Sequence, residues 1–340
     1  MPDRPGSVSV ITGAATYGPA IGPHRLAGPA ILAPMAGITD APFRNLCLQF
    51  GAALATTEMT LASHGIGRTA RPGSRLDFQS THGLRTVQIA GSEPAQMATA
   101  AREAIDLGAQ IIDINMGCPA KKVCKKRAGS ALLKDEKLVA QILISVVDAS
   151  PVPVTLKMRT GWDRAHRNGV RIAQLAESIG ITALAIHGRT RACRYNGHAE
   201  YETIRDIKSA VNIPVFANGD ITSPENAVNV IDMTDADGVM IGRGAQGRPW
   251  IFAQINNYIL QKVLLPMPSI DSQRDIIRSH LDAIYNFYGE KIGVRVAKKH
   301  LSWYCEYLPG AEDFRSRFVR TNNSSKQMQL TNNFFHRCLN

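Results

Sequence analysis

Short apolar runs recur between residues 28 and 242, each followed by a polar or glycine-rich turn and then by a stretch with helical spacing. The runs are AILAPM (30–35), ALATTEM (53–59), TVQIA (86–90), IIDIN (111–115), VTLKM (154–158), ALAIH (183–187), PVFAN (214–218) and GVMIG (238–242). Between them lie segments such as EPAQMATAAREAIDLG and SPENAVNVI. The second opens on Ser223, Pro224 and Glu225, which suit an N-cap, a first-turn proline and an early acid. Short apolar runs bounded by turn signals read as buried strands, and strands alternating with helices pair in parallel through crossover helices. Eight such units in this length predict a closed (β/α)8 TIM barrel rather than an open sheet.

The pattern changes near residue 255. DIIRSHLDAIYNFYGE and GVRVAKKHLSWYCEYL have helical spacing, and no further strand follows. At 100° per residue Val294, Ala297, Leu301, Tyr304, Cys305 and Leu308 share one face, while Arg295, Lys299 and Trp303 share the opposite one. That outer face reads either as a solvated surface or as a base-stacking aromatic among cations. The expected organisation is a Gly-, Ala- and Pro-rich loose lead-in (1–27), a barrel domain (28–255), a small all-helical domain (256–330) and a C-terminal tail (331–340). The Asn-, Ser- and Thr-rich stretch from 321 onward is expected to fray.

Composition adds one fact that on its own fits simple solubility charge as well. The net charge of +11 suggests a polyanionic partner, nucleic acid first and an anionic membrane surface second. No apolar run is long enough to span a bilayer, and no basic segment followed by a compact apolar one opens the chain as in a signal peptide. The six cysteines are scattered, without CxxC or zinc-ligand spacing, so neither a metal site nor a disulfide framework is expected. The expected compartment is the reducing cytoplasm.

Active sites of such barrels lie at the carboxyl ends of the strands. The unusual residues fall there: Gln88 in the third run, Asn115 and Cys118 after the fourth, Lys157 and Arg159 at the fifth, His187 and Arg189 at the sixth, and Asn218, Gly219 and Asp220 at the seventh. The loops after the last two runs, NGDI and IGRGAQGRP, offer glycines and Arg243 where barrels bind phosphate. GRGAQG (242–247) also matches GxGxxG, but a dinucleotide fingerprint needs a following strand with an acid about 20 residues on. A helical stretch follows instead, which favours the phosphate loop. A phosphate site with Lys and Gln on inner strands suits flavin mononucleotide, Lys157 stabilising the anionic reduced ring.

The motifs APMAGITDAPFR (33–44), VQIAGSEP (87–94), DINMGCPAKKV (113–123), LKMRTGWD (156–163), HGRTR (187–191), FANGDI (216–221), GVMIGRGAQGRPW (238–250) and AKKHLSWY (297–304) resemble those of the tRNA-dihydrouridine synthases, most of all the bacterial B subfamily. The resemblance implies an FMN oxidoreductase that reduces the C5–C6 bond of selected tRNA uridines with NADPH, and it supplies the nucleotide preference without a separate motif. It implies that Cys118 is the general acid. It places FMN contacts on Pro34, Met35, Ala36, Gln88, Lys157, Asn218, Gly219, Asp220, Gly242 and Arg243, and sets Asn115 and His187 near flavin and uracil. Glu58 also matches the pattern, without an assigned role.

Hydride addition at C6 leaves an enolate that needs a proton at C5. A thiol with a pKa of about 8.5 is mostly protonated at neutral pH and can give one. Asn115, His187 and Arg189 are candidate donors to the developing oxyanion. Swinging a base out of folded RNA costs roughly a few kcal/mol, which phosphate contacts must offset. Lys121, Lys122, Lys125 and Lys126 behind the thiol, with Arg164, Arg167, Arg191 and Arg194, are candidates for that task, and Arg295 and Lys299 for orienting the tRNA. Two rival readings are an FMN enzyme for free pyrimidines and a non-catalytic RNA-binding regulator. No obligate protein partner is evident.

Overall fold

A computed structural model describes residues 17–66 and 83–339. Eight parallel strands form one curled sheet: β1 (Ala30–Leu32), β2 (Thr60–Leu61), β3 (Thr86–Ala90), β4 (Ile111–Met116), β5 (Val154–Arg159), β6 (Ala183–His187), β7 (Val215–Asn218) and β8 (Gly238–Ile241). The order is β1-β8-β7-β6-β5-β4-β3-β2. Parallel bridges from Leu32 to Ala55 and from Thr56 to Thr86 join its two ends, which makes it a barrel.

The second strand is not the continuous run 53–59 that the sequence suggested. Ala55 and Thr56 bridge singly, and only Thr60–Leu61 pairs as a strand, with Ile89 and Ala90. Between them Thr57 Oγ1 accepts the Gln88 N–H, and Glu58 accepts the Gly37 N–H. Side chains at this point replace part of the backbone ladder.

Helices cover the barrel between strands: α1 (Ala41–Gln49), α2 (Pro94–Asp106), α3 (Lys121–Cys124), α4 (Glu136–Asp148), α5 (Gly169–Ile179), α6 (Glu202–Ala210), α7 (Pro224–Thr234) and α8 (Ile251–Gln261). Asp40, Asp135 and Ser223 cap α1, α4 and α7 by accepting the N–H three residues on. The main core lies between sheet and helices and includes Val87, Ile112, Ile114, Leu156, Ile172, Ile204, Val239 and Phe252.

Two expectations at the chain ends are corrected. Residues 1–16 lie outside the described residues, but 17–27 are not loose. Ala20–Ile21 and His24–Arg25 pair antiparallel, and Ile21 and Leu26 are buried with Leu54, Ile111, Phe216 and Met240 inside the barrel. At the other end, residues 324–339 form a helix rather than fraying. The barrel's last helix also runs past 255, to Gln261.

Beyond α8 follow α9 (Ile270–Tyr304, broken at Gly289 with φ 69°), α10 (Glu312–Arg320) and α11 (Ser324–Leu339). Their core unites Trp250, Ile277, Leu281, Ile284, Leu301, Phe314 and Phe318 with Phe334 and Phe335 of α11. Gln327 and Thr331 are also buried, the amide donating to Thr321 O. The polar composition of this segment hid a helix that buries one aromatic edge. On α9, Val294, Ala297, Leu301 and Tyr304 point inward as their spacing predicts.

Candidate active site at the carboxyl ends of the strands

A cavity of about 1050 Å³ opens at this end, lined among others by Pro34, Met35, Ala36, Gln88, Asn115, Cys118, Lys157, His187, Asn218, Gly242 and Arg243. The register explains the convergence. Parallel pairing sets Gln88 beside Asp113, Asn115 beside Lys157, Arg159 beside His187, and His187 beside Asn218.

The floor is ordered by a residue that sequence reasoning passed over, Asp113. Its carboxylate accepts from Thr155 Oγ1 at 2.7 Å and from Gln88 Nε2 at 2.7 Å. Burial raises its pKa to about 6, against those hydrogen bonds and the charge of Lys157, so it is ionised at neutral pH. An ionised carboxylate only accepts, which fixes the Gln88 amide with its NH2 toward Asp113. Gln88 Oε1 is then free to accept from Asn115 Nδ2 at 2.8 Å. Asn115 Oδ1 in turn accepts from the Cys118 N–H at 3.0 Å. One charge thus sets two amides and reaches the backbone of the thiol. The available signal was an acid inside an apolar strand, two residues before Asn115 and so on the same face.

Lys157 Nζ donates to Asn218 Oδ1 at 3.1 Å, and Asn218 Nδ2 is tied to Met240 O at 2.7 Å. Burial, then the neighbouring Arg159, lowers the Lys157 pKa to about 8, with Asp113 opposing. The lysine is cationic at pH 7 and close to titrating.

At the far end Gly219 adopts φ 129°, and Gly244 packs against the Ile221 carbonyl so closely that a Cβ would sit 2.3 Å from it. The loops after β7 and β8 therefore touch backbone to backbone, with Arg243 exposed beside them and 5.2 Å over the Tyr195 ring. Asp220 lines the cavity, but both of its oxygens are engaged, at 2.9 and 2.7 Å from Arg189, with further contacts to Ala199 N and Arg243. Expected as a cofactor contact, it also orients two arginines.

Arg189, expected as an oxyanion donor, has its N–H groups engaged within the protein. Its five N–H groups go to Asp220 twice, His187 Nε2, Gly197 O and Asn196 O. It is buried and ties the 196–199 loop to the rim. Arg159 lines the cavity while bracing Gly117 O, Thr190 O and Arg194 O. His187 is held neutral: burial and then the charges of Lys157, Arg159, Arg189 and Arg243 push its pKa down to about 2. Because its Nε2 accepts from Arg189, the ring proton belongs on Nδ1.

Cys118 follows β4 on a loop pinned by Ser130, whose N–H and hydroxyl both donate to the Cys118 carbonyl. Gly129, at φ 63°, lets that contact close, since a Cβ there would lie 2.9 Å from the same oxygen. Burial raises the thiol pKa, and nearby Arg159 and Lys157 oppose this only in part. The thiol is protonated at neutral pH, at the wall of the cavity.

Residues 31–339 match the family described as dihydrouridine synthase (Dus). The chain belongs to the dihydrouridine synthase family. It is 54% identical over 315 residues, 93% of this chain and 95% of the relative, to tRNA-dihydrouridine synthase B of Pseudomonas aeruginosa. The same identity and coverage relate it to tRNA-dihydrouridine synthase B of Xanthomonas campestris pv. campestris. Among solved structures it resembles histamine dehydrogenase from Rhizobium sp. 4-9 (TM-score 0.57, 12% identity, 78% of this chain and 50% of that one). It also resembles 6-hydroxypseudooxynicotine amine oxidase from Pseudomonas geniculata N1 (TM-score 0.58, 14% identity, 81% and 56%). The chain spans about half the length of those two proteins, and at that identity the likeness concerns the barrel fold alone.

The cations expected to meet RNA in this dihydrouridine synthase divide into two groups. Lys121, Lys122, Lys125 and Lys126 are all exposed around α3, and Arg164, Arg167, Arg194 and Arg295 are exposed as well. Lys299 is not a free surface charge, because its ammonium donates to the Gly37 carbonyl on the loop after β1. Trp303 is half-buried, edge-on to His300 with ring centroids 5.3 Å apart, rather than open for stacking. Arg191 lies 4.4 Å over Trp162, with the Lys134 ammonium 5.0 Å from the same ring.

Proposed function

We propose that this dihydrouridine synthase is an oxidoreductase that reduces the C5–C6 bond of uridines in tRNA, with FMN as its flavin and NADPH as the source of hydride. The observation that carries the reading is that Lys157 and Cys118 line one cavity, with the Asp113–Gln88–Asn115 chain of hydrogen bonds reaching the Cys118 backbone. The relatives named tRNA-dihydrouridine synthase B support the tRNA substrate, and the +11 charge suits it.

The residues present fit FMN. The cavity has room for a flavin and a base together. Among the described residues Lys157 offers a cation hydrogen-bonded to the neutral Asn218, and Gln88 and Asn218 offer amides already fixed in orientation. The glycines 219, 242 and 244 let backbone approach a phosphate, with Arg243 as its charge. When bound, the flavin supplies the hydride added to uracil C6.

The chain's own residues do the rest. Lys157 would supply positive charge to a flavin ring held in the cavity as that ring gains electrons. Cys118, kept protonated by burial, gives its proton to C5 of the uracil and recovers one from solvent. The neutral His187, with hydrogen on Nδ1, is a donor to developing negative charge on the uracil without being an acid itself. Asn115 fixes the Cys118 backbone, so the thiol does not wander from the reacting carbon. The exposed lysines around α3 hold phosphates beside the cavity mouth. The free thiols of the chain suit a reducing cytoplasm.

The test is mapping of dihydrouridine in tRNA from a strain lacking the gene, then from the strain complemented with the wild type or with Cys118→Ala. Dihydrouridine lost from a defined position and restored only by the wild type is the expected result. Unchanged tRNA in the deletion strain, or a purified protein that releases no flavin, overturns the reading. Turnover of free uracil or orotate in place of tRNA would favour the free-pyrimidine enzyme.

A further inference from the structure

Gly37 is held from both ends. Its N–H donates to Glu58 Oε2 at 2.5 Å, and its carbonyl accepts from the Lys299 ammonium. The two groups belong to the successive peptides 36–37 and 37–38, each with its dipole positive at N–H and negative at C=O, so a carboxylate on the first and an ammonium on the second are both favourably placed. Gly37 has φ 73°, a conformation that side-chain-bearing residues rarely adopt. Glu58 comes from the barrel, just before β2, whereas Lys299 comes from α9 of the helical domain.

The gripped loop is the one that carries Pro34, Met35, Ala36 and Ile38 into the cavity wall. Its other end is tied to the same helical domain. Asp40, the N-cap of α1, accepts from Tyr288 Oη at 3.1 Å, and His300 Nε2 lies 3.9 Å from the same carboxylate oxygen. Phe43 packs against His280 and His300, with ring centroids 5.7 and 5.3 Å away. Within the loop, Met35 N donates to Thr39 Oγ1, and Thr39 O accepts from the buried Arg44. The segment 35–40 is thus closed on itself and anchored at two points on α9.

We propose that Lys299 is a positioning residue for the flavin-side loop, acting with Glu58 through the two successive peptides that flank the Gly37 Cα, so that the helical domain forms part of the cofactor site as well as carrying substrate. This rests on the flavin reading above. It differs from the expectation that Lys299 meets tRNA phosphate: an ammonium engaged by Gly37 orders the loop whether or not RNA is present. Glu58, which matched the family pattern without a role, acquires one on the neighbouring peptide, across the Gly37 Cα.

The experiment compares wild type, Lys299→Met, Lys299→Arg and Glu58→Gln as full-length proteins. Three quantities are measured: FMN dissociation constant by fluorescence titration of the flavin-free protein, amide exchange over residues 33–44 of that protein, and tRNA affinity across a salt series. Lys299→Met is expected to weaken FMN about tenfold and to speed exchange in 33–44, leaving the salt slope for tRNA unchanged. Lys299→Arg should recover most of the FMN affinity, and Glu58→Gln should resemble Lys299→Met in exchange. FMN affinity and exchange that match wild type in Lys299→Met overturn the proposal, as does a shallower salt slope with intact FMN binding, which would make Lys299 a phosphate contact. A wild type that binds no FMN would instead sink the functional reading itself.

Discussion

Lys157 donates to Asn218 Oδ1 at 3.1 Å rather than to a carboxylate, so its charge at the cavity wall is balanced only from a distance by Asp113. The consequence is a lysine whose pKa, about 8, lies within reach of ordinary buffers. An anionic ligand beside it favours the cation and raises that value. FMN binding is therefore expected to be flat with pH below about 7 and to weaken as pH rises through 8, where binding must take up a proton. Lys157→Met should bind FMN more weakly at neutral pH and lose this alkaline dependence. For folding the sign is opposite. Between pH 8 and 10.5 the unfolded chain holds a proton that the folded flavin-free protein does not, so this group's contribution to stability rises with pH across that window. Titrations of FMN and melting curves of wild type and Lys157→Met over the same pH range check both halves.

Cys118→Ala is expected to retain FMN and to accept hydride from NADPH at the wild-type rate, since neither step needs the thiol. Dihydrouridine formation should fall by about 10²- to 10⁴-fold, the usual worth of a positioned proton donor. In the wild type, burial keeps the thiol protonated, so the tRNA half-reaction should slow only as pH rises through that raised pKa. Separate stopped-flow measurements of flavin reduction by NADPH and reoxidation by tRNA test this. Equal losses in both halves would make Cys118 structural.

Asp113→Asn removes the acceptor-only group that orients Gln88 and, through it, Asn115. The new amide can turn an NH2 toward Gln88 Nε2, leaving a buried donor without an acceptor, at a cost of roughly 1–3 kcal/mol. Expected outcomes are a lower melting temperature and a loss in the tRNA half-reaction, because the Cys118 N–H loses its fixed partner. Normal turnover in this variant would show that the amide chain is not what positions the thiol.

Arg189→Gln should destabilise the protein although the residue is not among those that line the cavity. Removing one partner of a buried ion pair costs roughly 3–5 kcal/mol. Because the Asp220 side chain is 29% exposed, the lower part of that range is expected here. The 196–199 loop loses its carbonyl anchors at the same time. Chemical denaturation at neutral pH measures the change.

The barrel was legible because alternation of apolar runs and helical stretches is a local pattern that burial repeats eight times. The convergence of Gln88, Asn115, Lys157, His187 and Asn218 was legible too, since strand ends share one rim. What stayed hidden depended on partners distant in sequence. Nothing near Arg189 tells that Asp220 and two loop carbonyls consume its donors. Nothing near Lys299 points to Gly37, 262 residues away. The helix 324–339 was hidden for a related reason: its polar residues suggested solvent, whereas Gln327 and Thr331 are buried with their hydrogen bonds satisfied inside the helical domain.

The lysines around α3 carry the last prediction. Among the described residues, Lys121, Lys122, Lys125 and Lys126 make no ion pair, and all are exposed within six positions of one another. Neighbouring Arg127 does have a partner, Asp135, at 3.5 Å. Four like charges held together without counter-charges repel one another, and an RNA backbone relieves that repulsion while releasing its own counterions. Phosphates carry no sequence information, so Lys→Glu changes at the four positions should weaken binding of all tRNAs alike. The log–log dependence of affinity on salt should become shallower by roughly one unit for each phosphate contact removed. FMN affinity should stay close to that of the wild type, since only Lys121 of the four reaches the cavity lining. A salt slope equal to that of the wild type would mean that the cluster is a solvated face, and that the RNA backbone is held elsewhere, with the exposed Arg164, Arg167 and Arg194 next to be tested.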